Sequence, residues 1–380
     1  MRKAIIFLFA LAVAIVTAAV HIPVTMMEEP AVSALPDSSP VSVTPAAPTP
    51  PPETLPDGQP PLAPPEQAAP LTLTFGGDVL LDRGVAGLIG PWGDYGQVVA
   101  PELTALFSES ALAFVNLELP FSTRGQPLPD KTYTFRGNPA HLGFLPFMGI
   151  DAVTLANNHM LDYGTDAMMD TVALLDALGI GHTGAGDSRA SAAAPSLLTA
   201  QGQRIAFLGA SRVVPSTDWH AGKNKPGLFT TYDPAALNAA IAEARDIADL
   251  VVVYVHWGEE MNDQAQPYQI ELAHGYIDAG ADLVIGSHPH VVQGLEFYQG
   301  KLIAYSLGNF VFTDADRDTM ALQVSYEGAD MTGAQVFFAH IHNLKTALVT
   351  EPAAKADMRA HLQALSPGVV IDEAGWVLPG

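Results

Sequence analysis

Short apolar runs alternate along most of this chain with stretches whose apolar residues recur every three to four positions. The short runs are Leu71 to Phe75, Leu112 to Leu117, Ala152 to Leu155, Arg204 to Leu208, Leu250 to Val255, Leu283 to Ile285 and Leu302 to Ser306. Several are apolar without a break, as in strands covered on both faces. Asp166 to Leu178, Pro234 to Ala248 and Tyr268 to Ala279 carry the helical spacing. Gly179 and Gly280 stand where a glycine ends a helix. Alternation of the two patterns predicts an α/β architecture. Thr319 to Tyr326 and Ala334 to Ile341 break it, reading as consecutive strands of a hairpin. No internal repeat is visible.

The first 70 residues have a different texture. Arg2 and Lys3 precede an uncharged, mostly apolar run from Ala4 to Val20, and Thr17, Ala18 and Ala19 offer small residues for cleavage. This reads as an export signal or an N-terminal membrane anchor. From Glu28 to Pro70 come 14 of the 31 prolines and six acidic residues, with no Lys, Arg or His. Such a segment cannot bury enough apolar surface to fold and serves as an extended spacer. The expected organisation is a signal or anchor over 1–27, a proline-rich linker over 28–70, a folded domain over 71–345 and a C-terminal extension over 346–380 packed on it. The expected location is outside the cell membrane, anchored or secreted.

Charge and cysteine content then narrow the chemistry. The formal net charge is −23, from 17 Lys and Arg against 40 Asp and Glu. Residues 1–27 contribute +2 and the linker −6, so −19 falls on the remainder. Binding to nucleic acid through clustered cations is excluded as a main activity. With no cysteine, thiolate metal sites, Cys nucleophiles and disulfides are excluded as well. Any metal chemistry falls to His, Asp, Glu and Asn.

Those residue types recur where the short runs end. Gly76-Gly77-Asp78 follows the first run, Asn116-Leu117-Glu118 closes the second, and Asn157-Asn158-His159 follows the third. His256-Trp257-Gly258-Glu259, Ser287-His288-Pro289-His290 and Gly308-Asn309 follow the last three. Ligands of α/β proteins gather at the carboxyl ends of the strands, so six polar groups are predicted to meet in one crevice. Asp78, Glu118, Asn158, His256, His288 and His290 are all nitrogen or oxygen donors, a set suited to zinc, manganese, iron or nickel. Two neighbouring ions sharing Glu118 are compatible with the set. There is no P-loop and no Gly-x-Ser-x-Gly elbow. Arg136 is a candidate grip for a carboxylate or phosphate. Glu259 and Asn309 are candidates to orient metal ligands from behind. Lys223 and Lys225 read as solvated loop residues. His340 and His342 share a face at strand spacing, outside the convergent set, and read as surface or structural residues.

These motifs resemble the bacterial capsule synthesis family CapA, the poly-gamma-glutamate capsule synthesis proteins. The carriers are Gly77-Asp78-Val79-Leu80, Asn116-Leu117-Glu118, Ala156-Asn157-Asn158-His159 with Asp162 and Gly164, His256-Trp257-Gly258-Glu259, Gly286-Ser287-His288-Pro289-His290-Val291 with Gln293, and Ser306-Leu307-Gly308-Asn309-Phe310. They keep a consistent order from Leu71 to Phe312, with a looser match beyond. The resemblance implies kinship with calcineurin-like metallophosphoesterases, whose two β-sheets lie sandwiched between helices in four layers. It further implies one or two divalent ions, manganese, zinc or iron. Asp78 would hold the first ion together with His290, Glu118 would bridge, and Asn158, His256 and His288 would complete the second. His159 would protonate a leaving oxygen. Two positions depart from the phosphoesterase pattern: Leu80 stands where a metal-binding His is expected, and Glu118 replaces a bridging Asp. The implied role is in capsule or poly-gamma-glutamate biosynthesis. There the chain would be a metal-dependent hydrolase of a phosphoester or envelope polymer, or a non-catalytic carrier of an anionic polymer. A membrane capsule-synthesis complex is the implied partner.

Overall fold

A computed structural model describes residues 70–313 and 316–380. The expected export signal and proline-rich linker lie outside the described residues. Two sheets form the frame. The larger runs in the order Lys345–Leu348, Asp330–His342, Asp316–Glu327, Leu71–Val79, Leu112–Leu117, Ala152–Thr154, Gly181–Thr183, with Asn309–Val311 also paired to Leu71–Val79. The smaller runs Leu295–Tyr298, Lys301–Ala304, Leu283–Ser287, Leu250–His256, Gln203–Ser211, Ser196–Ala200. Leu71–Val79, Leu112–Leu117, Ala152–Thr154, Gly181–Thr183 and Asn309–Val311 are mutually parallel. So are Gln203–Ser211, Leu250–His256, Leu283–Ser287 and Lys301–Ala304 in the smaller sheet. Parallel strands place their carboxyl ends on one edge, and Asp78, Glu118, Asn158, His256, His288 and His290 lie at or just beyond such ends.

The alternation of side chains shows how the layers stack. Phe75 and Phe114 from the larger sheet stack with ring centroids 5.0 Å apart, and Phe114 meets Phe207 of the smaller sheet at 4.7 Å. Leu71, Leu73, Ile205, Leu250, Val252, Leu283 and Leu302 fill the same space between the sheets. Ala113, Val115 and Leu117 point the other way and pack beneath the helices Pro101–Ser108 and Gly164–Leu178. On the far side Val251, Val253, Val255 and Val284 pack under Ala235–Arg245 and Pro267–Asp278. The architecture is therefore helix, sheet, sheet, helix, a layered α/β fold. Strands buried on both faces explain the unbroken apolar runs of the sequence.

The predicted helices are found at Gly164–Leu178, Ala235–Arg245 and Pro267–Asp278, the first ended by Gly179 at φ 71. The predicted hairpin is longer than its apolar core, spanning Asp316–Glu327 and Asp330–His342, because polar residues pair at both ends of the ladder. Chain beyond 345 packs on the sandwich. Lys345–Leu348 adds an edge strand, and Leu362, Val369, Ile371 and Val377 bury their side chains in the intersheet core. Backbone of Val336 donates to Gly375 at 2.8 Å, and Leu295 N donates to Ser366 Oγ at 2.9 Å.

One glycine fixes the site end of the central strand. Asp78 N donates to Gly308 O at 3.1 Å, which brings the preceding Gly77 so close that a Cβ there would lie 1.8 Å from that oxygen. Gly77→Ala is expected to destabilise the protein by about 1–3 kcal/mol or more, since the obstacle is backbone. A urea midpoint unchanged from wild type would show that this approach is not constrained.

Candidate metal centre

Each predicted ligand arises where a parallel strand runs out. Asp78 is the penultimate residue of Leu71–Val79 and lies in register with Asn116 and Asn309 on the flanking strands. Glu118 follows Leu112–Leu117 directly, and Asn158 and His159 follow Ala152–Thr154. His256 ends its strand, and Ser287 ends the neighbouring one in register with it. The chain then turns sharply, His288 and His290 taking φ 96 and 59. That region is rare for residues with a Cβ, and here it aims both rings back at the strand ends.

The side chains converge as the spacing predicted. Ligand atoms of Asp78, Glu118 and His256 lie within 4.8 Å of one another, and so do those of Glu118, His288 and His290. Asp78 Oδ1 accepts from Asn116 Nδ2 at 2.7 Å, and its Oδ2 lies 3.4 Å from His290 Nδ1. Glu118 Oε1 sits 3.6 Å from His256 Nε2 and 4.0 Å from His290 Nε2. Asn158 Oδ1 is 3.0 Å from His256 Nε2, and Asn309 Oδ1 is 2.7 Å from His290 Nδ1. Asp78, Glu118 and His256 are wholly buried.

Burial sets the protonation. Desolvation, reinforced by neighbouring Asp78, raises the Glu118 pKa well above the usual carboxylate range. Desolvation, with His288 and His290 nearby, lowers that of His256 well below the usual imidazole value. The same loss of water, added to the charge of His290, lowers His288 to about 3. For His290, burial opposes charge, but Glu118, Asp78 and Asn309 outweigh it and raise its pKa to about 10. Burial thus drives His256 and His288 toward neutrality, while Asp78, Glu118 and Asn309 drive His290 toward charge.

The residues fit a divalent ion. Glu118 Oε1 and His288 Nδ1 are buried without a hydrogen-bond partner. Buried polar atoms rarely lack partners, and a cation at this point would satisfy both. Nitrogen with carboxylate and amide oxygen suits a transition metal better than calcium. Leu80, which occupies the place of an expected His, is buried in the helix-side core with Leu81 and Val85. It contributes nothing to the centre.

Around the cluster lie residues of both kinds, expected and missed. His159 Nδ1 is 2.7 Å from Asp162 Oδ2, and its ring tilts against Phe135 at 4.6 Å. Asn309 Oδ1 lies against Nδ1 of His290. Glu259 does not stand behind His256: it is exposed, its carboxylate accepts from Asn262, and Ser287 Oγ lies 3.0 Å from His256 Nδ1 instead. Strand register puts Ser287 beside His256, whereas Glu259 lies past the turn. Arg136 lies 4.2 Å over the Tyr163 ring and donates from one terminal nitrogen to the carbonyls of Arg124 and Gly125. Sequence reasoning missed Asn116, which links Asp78, Glu118 and Asn157. It also missed Lys131, whose ammonium forms an ion pair with buried Asp162, donates to Asn158 O at 2.6 Å and lies 3.0 Å from His159 Nδ1. Asn116 could have been found as the polar residue inside an apolar strand. Lys131 sits in a long loop with no periodicity and offered no such mark.

Fold and site together define a layered α/β protein with a buried His, Asp, Glu and Asn centre at its strand ends. Residues 72–314 match the bacterial capsule synthesis protein family PGA_cap, and the chain belongs to that family. It is 35% identical over 246 residues to the PGA biosynthesis protein CapA of Bacillus subtilis, covering 64% of this chain and 63% of that one. To the capsule biosynthesis protein CapA of Bacillus anthracis it is 33% identical over 250 residues, 64% of this chain and 60% of that one. The chain thus spans less than two thirds of the length of these relatives. Among solved structures, TT1561 of Thermus thermophilus aligns over 67% of this chain and 94% of that one, at 10% identity and a TM-score of 0.37.

Removing one partner of a buried ion pair leaves the other charged and desolvated. Lys131→Met is therefore expected to cost about 3 kcal/mol or more of stability, read as a lower urea midpoint. A variant as stable as wild type would show that Asp162 does not depend on the ammonium.

Proposed function

We propose that this chain serves capsule or poly-gamma-glutamate biosynthesis at the outer face of the cell envelope, as a metal-dependent hydrolase of a phosphoester or envelope polymer. The observation that carries the hydrolase reading is the pair of orphaned buried ligand atoms, Glu118 Oε1 and His288 Nδ1, in a pocket that also holds Asp78, Asn158, His256 and His290. The names of the Bacillus relatives support the biosynthetic setting. A bound manganese, zinc or iron ion would supply Lewis acidity at the scissile centre.

The chain's own part is to hold the site and move protons. Asn116 braces the two carboxylates, and Ser287 and Asn309 fix the rings of His256 and His290. Asp162 holds a proton on Nδ1 of His159 and favours the doubly protonated ring, against burial, which lowers its pKa; Nε2 then carries the proton offered to substrate. In hydrolysis, the oxygen of water bonds to the scissile phosphorus or carbonyl carbon and the bond to the leaving oxygen, or to the leaving nitrogen of an amide-linked polymer, breaks. His159, doubly protonated, gives its Nε2 proton to the leaving atom, keeps the one on Nδ1, and regains a proton from the attacking water. An acidic domain offers an anionic polymer little else to bind, which leaves recognition to the bound cation and to Arg136, should it leave its loop carbonyls.

The decisive experiment is elemental analysis of the purified protein with a screen of phosphoesters, peptides and polyglutamate. Wild type is expected to carry transition metal and turn over one of these. His159→Ala should lose about 10²–10⁴ in rate with metal content kept, whereas Asp78→Ala/His288→Ala should lose the metal as well. Full turnover by His159→Ala removes that residue from the acid role. Polymer binding that needs His288 but is never followed by cleavage would establish the non-catalytic carrier in place of the hydrolase.

A further inference from the structure

A second group of ligand-type side chains lies beyond residues 72–314, on the C-terminal hairpin. The antiparallel register sets Asp316 opposite His342 and Asp318 opposite His340. Alternate residues of a strand share a face, so all four side chains project together. Asp316 Oδ1 lies 2.8 Å from His340 Nε2 and 3.2 Å from His342 Nδ1. The three ligand atoms all fall within 4.8 Å of one another. Asp318 Oδ1 is 2.6 Å from the other ring nitrogen of His340, Nδ1.

We propose that Asp316, His340 and His342 form a second divalent transition-metal site, separate from the buried centre, with Asp318 orienting His340. Bonds of about 2.0–2.1 Å around a tetrahedral ion set its ligands about 3.3 Å apart. The 2.8 and 3.2 Å separations need only a few tenths of an ångström of opening. Asp318, accepting from Nδ1, places the proton of His340 there and turns the Nε2 lone pair toward Asp316. A carboxylate behind a metal-binding histidine works in this way. Asn343 Nδ2 lies 3.0 Å from His342 Nε2, and metal binding through Nδ1 would require this amide to turn over. With its amide oxygen facing that nitrogen it holds the proton there, which frees Nδ1 for the ion; the two amide orientations are equivalent in shape.

The surroundings suit an exchangeable ion. Asp316 and His342 are exposed, by 71% and 72% of side-chain surface, and His340 is half-buried, in contrast to the sealed centre. Lys345 lies opposite His342 on the next strand and lines the same groove as Asp318, His340 and His342. A groove of about 800 Å³ between this edge and the helix Pro352–Leu365 is lined by Asp318, His340, His342 and also His361. Three protein ligands leave a fourth position open to a small ligand entering from that groove.

Zinc titration of the chelator-stripped full chain tests this, with bound metal counted after desalting and affinity read by calorimetry. His340→Ala/His342→Ala is expected to bind one zinc fewer than wild type. Asp78→Ala/His288→Ala should retain that one, so the two centres fail independently. Asp318→Ala should keep the count but weaken this site about 10–100-fold. Equal stoichiometry and affinity in wild type and His340→Ala/His342→Ala, both shown folded by circular dichroism, would overturn the proposal. The cluster would then be an ion-pair network in which protonated His340 donates to Asp316 and Asp318.

Discussion

Two carboxylates buried side by side, Asp78 and Glu118, set the terms for the rest of this structure. Removing a carboxylate from water costs several kcal/mol even after relaxation, and a second one nearby raises the cost. The fold answers with cations and donors aimed at that point. His290 faces Asp78 and Glu118, Asn116 bridges them, and His288 N reaches Asp78 at 3.3 Å. The same pocket sorts its histidines by neighbour. The one against Asp78 and Glu118, His290, is driven toward charge, while His288 and His256 are driven toward neutrality. The groups so gathered, carboxyl and imidazole within 4.8 Å of one another, are of the types a divalent ion takes as ligands, and such an ion would displace the protons that Glu118 and His290 hold in its absence.

The frame has to deliver those groups with little freedom. Five parallel strands of one sheet and four of the other end on the site edge, and their burial on both faces leaves no slack in register. Close backbone approaches complete the arrangement. Gly77 lets the central strand meet Gly308, and Gly286 lets its strand pass Tyr305, where a Cβ would lie 1.9 Å from the carbonyl oxygen. The strained turn at His288 and His290 is held by Met261 N donating to Pro289 O at 2.8 Å. A further layer of support comes from outside the strands, where Lys131 ties Asp162, Asn158 and His159 into one unit.

Beyond the family's matched span the chain does a different job. The hairpin extends the larger sheet on its free side, and the tail closes the open end of the intersheet core with Leu362, Val369, Ile371 and Val377. Both additions create edges, and an edge exposes polar side chains at strand spacing. Asp316, Asp318, His340 and His342 sit at one end of the hairpin, one strand in from the edge strand Lys345–Leu348, so their grouping owes nothing to the crevice that organises the rest. Among the described residues no helix is long and apolar enough to cross a membrane.

The division between sequence and tertiary structure has a physical basis. Strand ends in a parallel sheet are marked by composition, because an apolar run must stop where the chain meets water or ligand. For that reason Asp78, Glu118, Asn158, His256, His288 and His290 were all legible, as were the layered α/β class, the three helices and the family. Contacts between residues far apart in sequence leave no local period. Lys131 meets Asp162 across a loop, Ser287 takes the place beside His256 that Glu259 holds in sequence, and Leu80 turns into the core two residues from a ligand. The hairpin carries the same lesson. His340 and His342 at spacing two showed a shared face, but only the antiparallel register set two aspartates opposite them. Local periodicity says which way a side chain points, and only folding says what it points at.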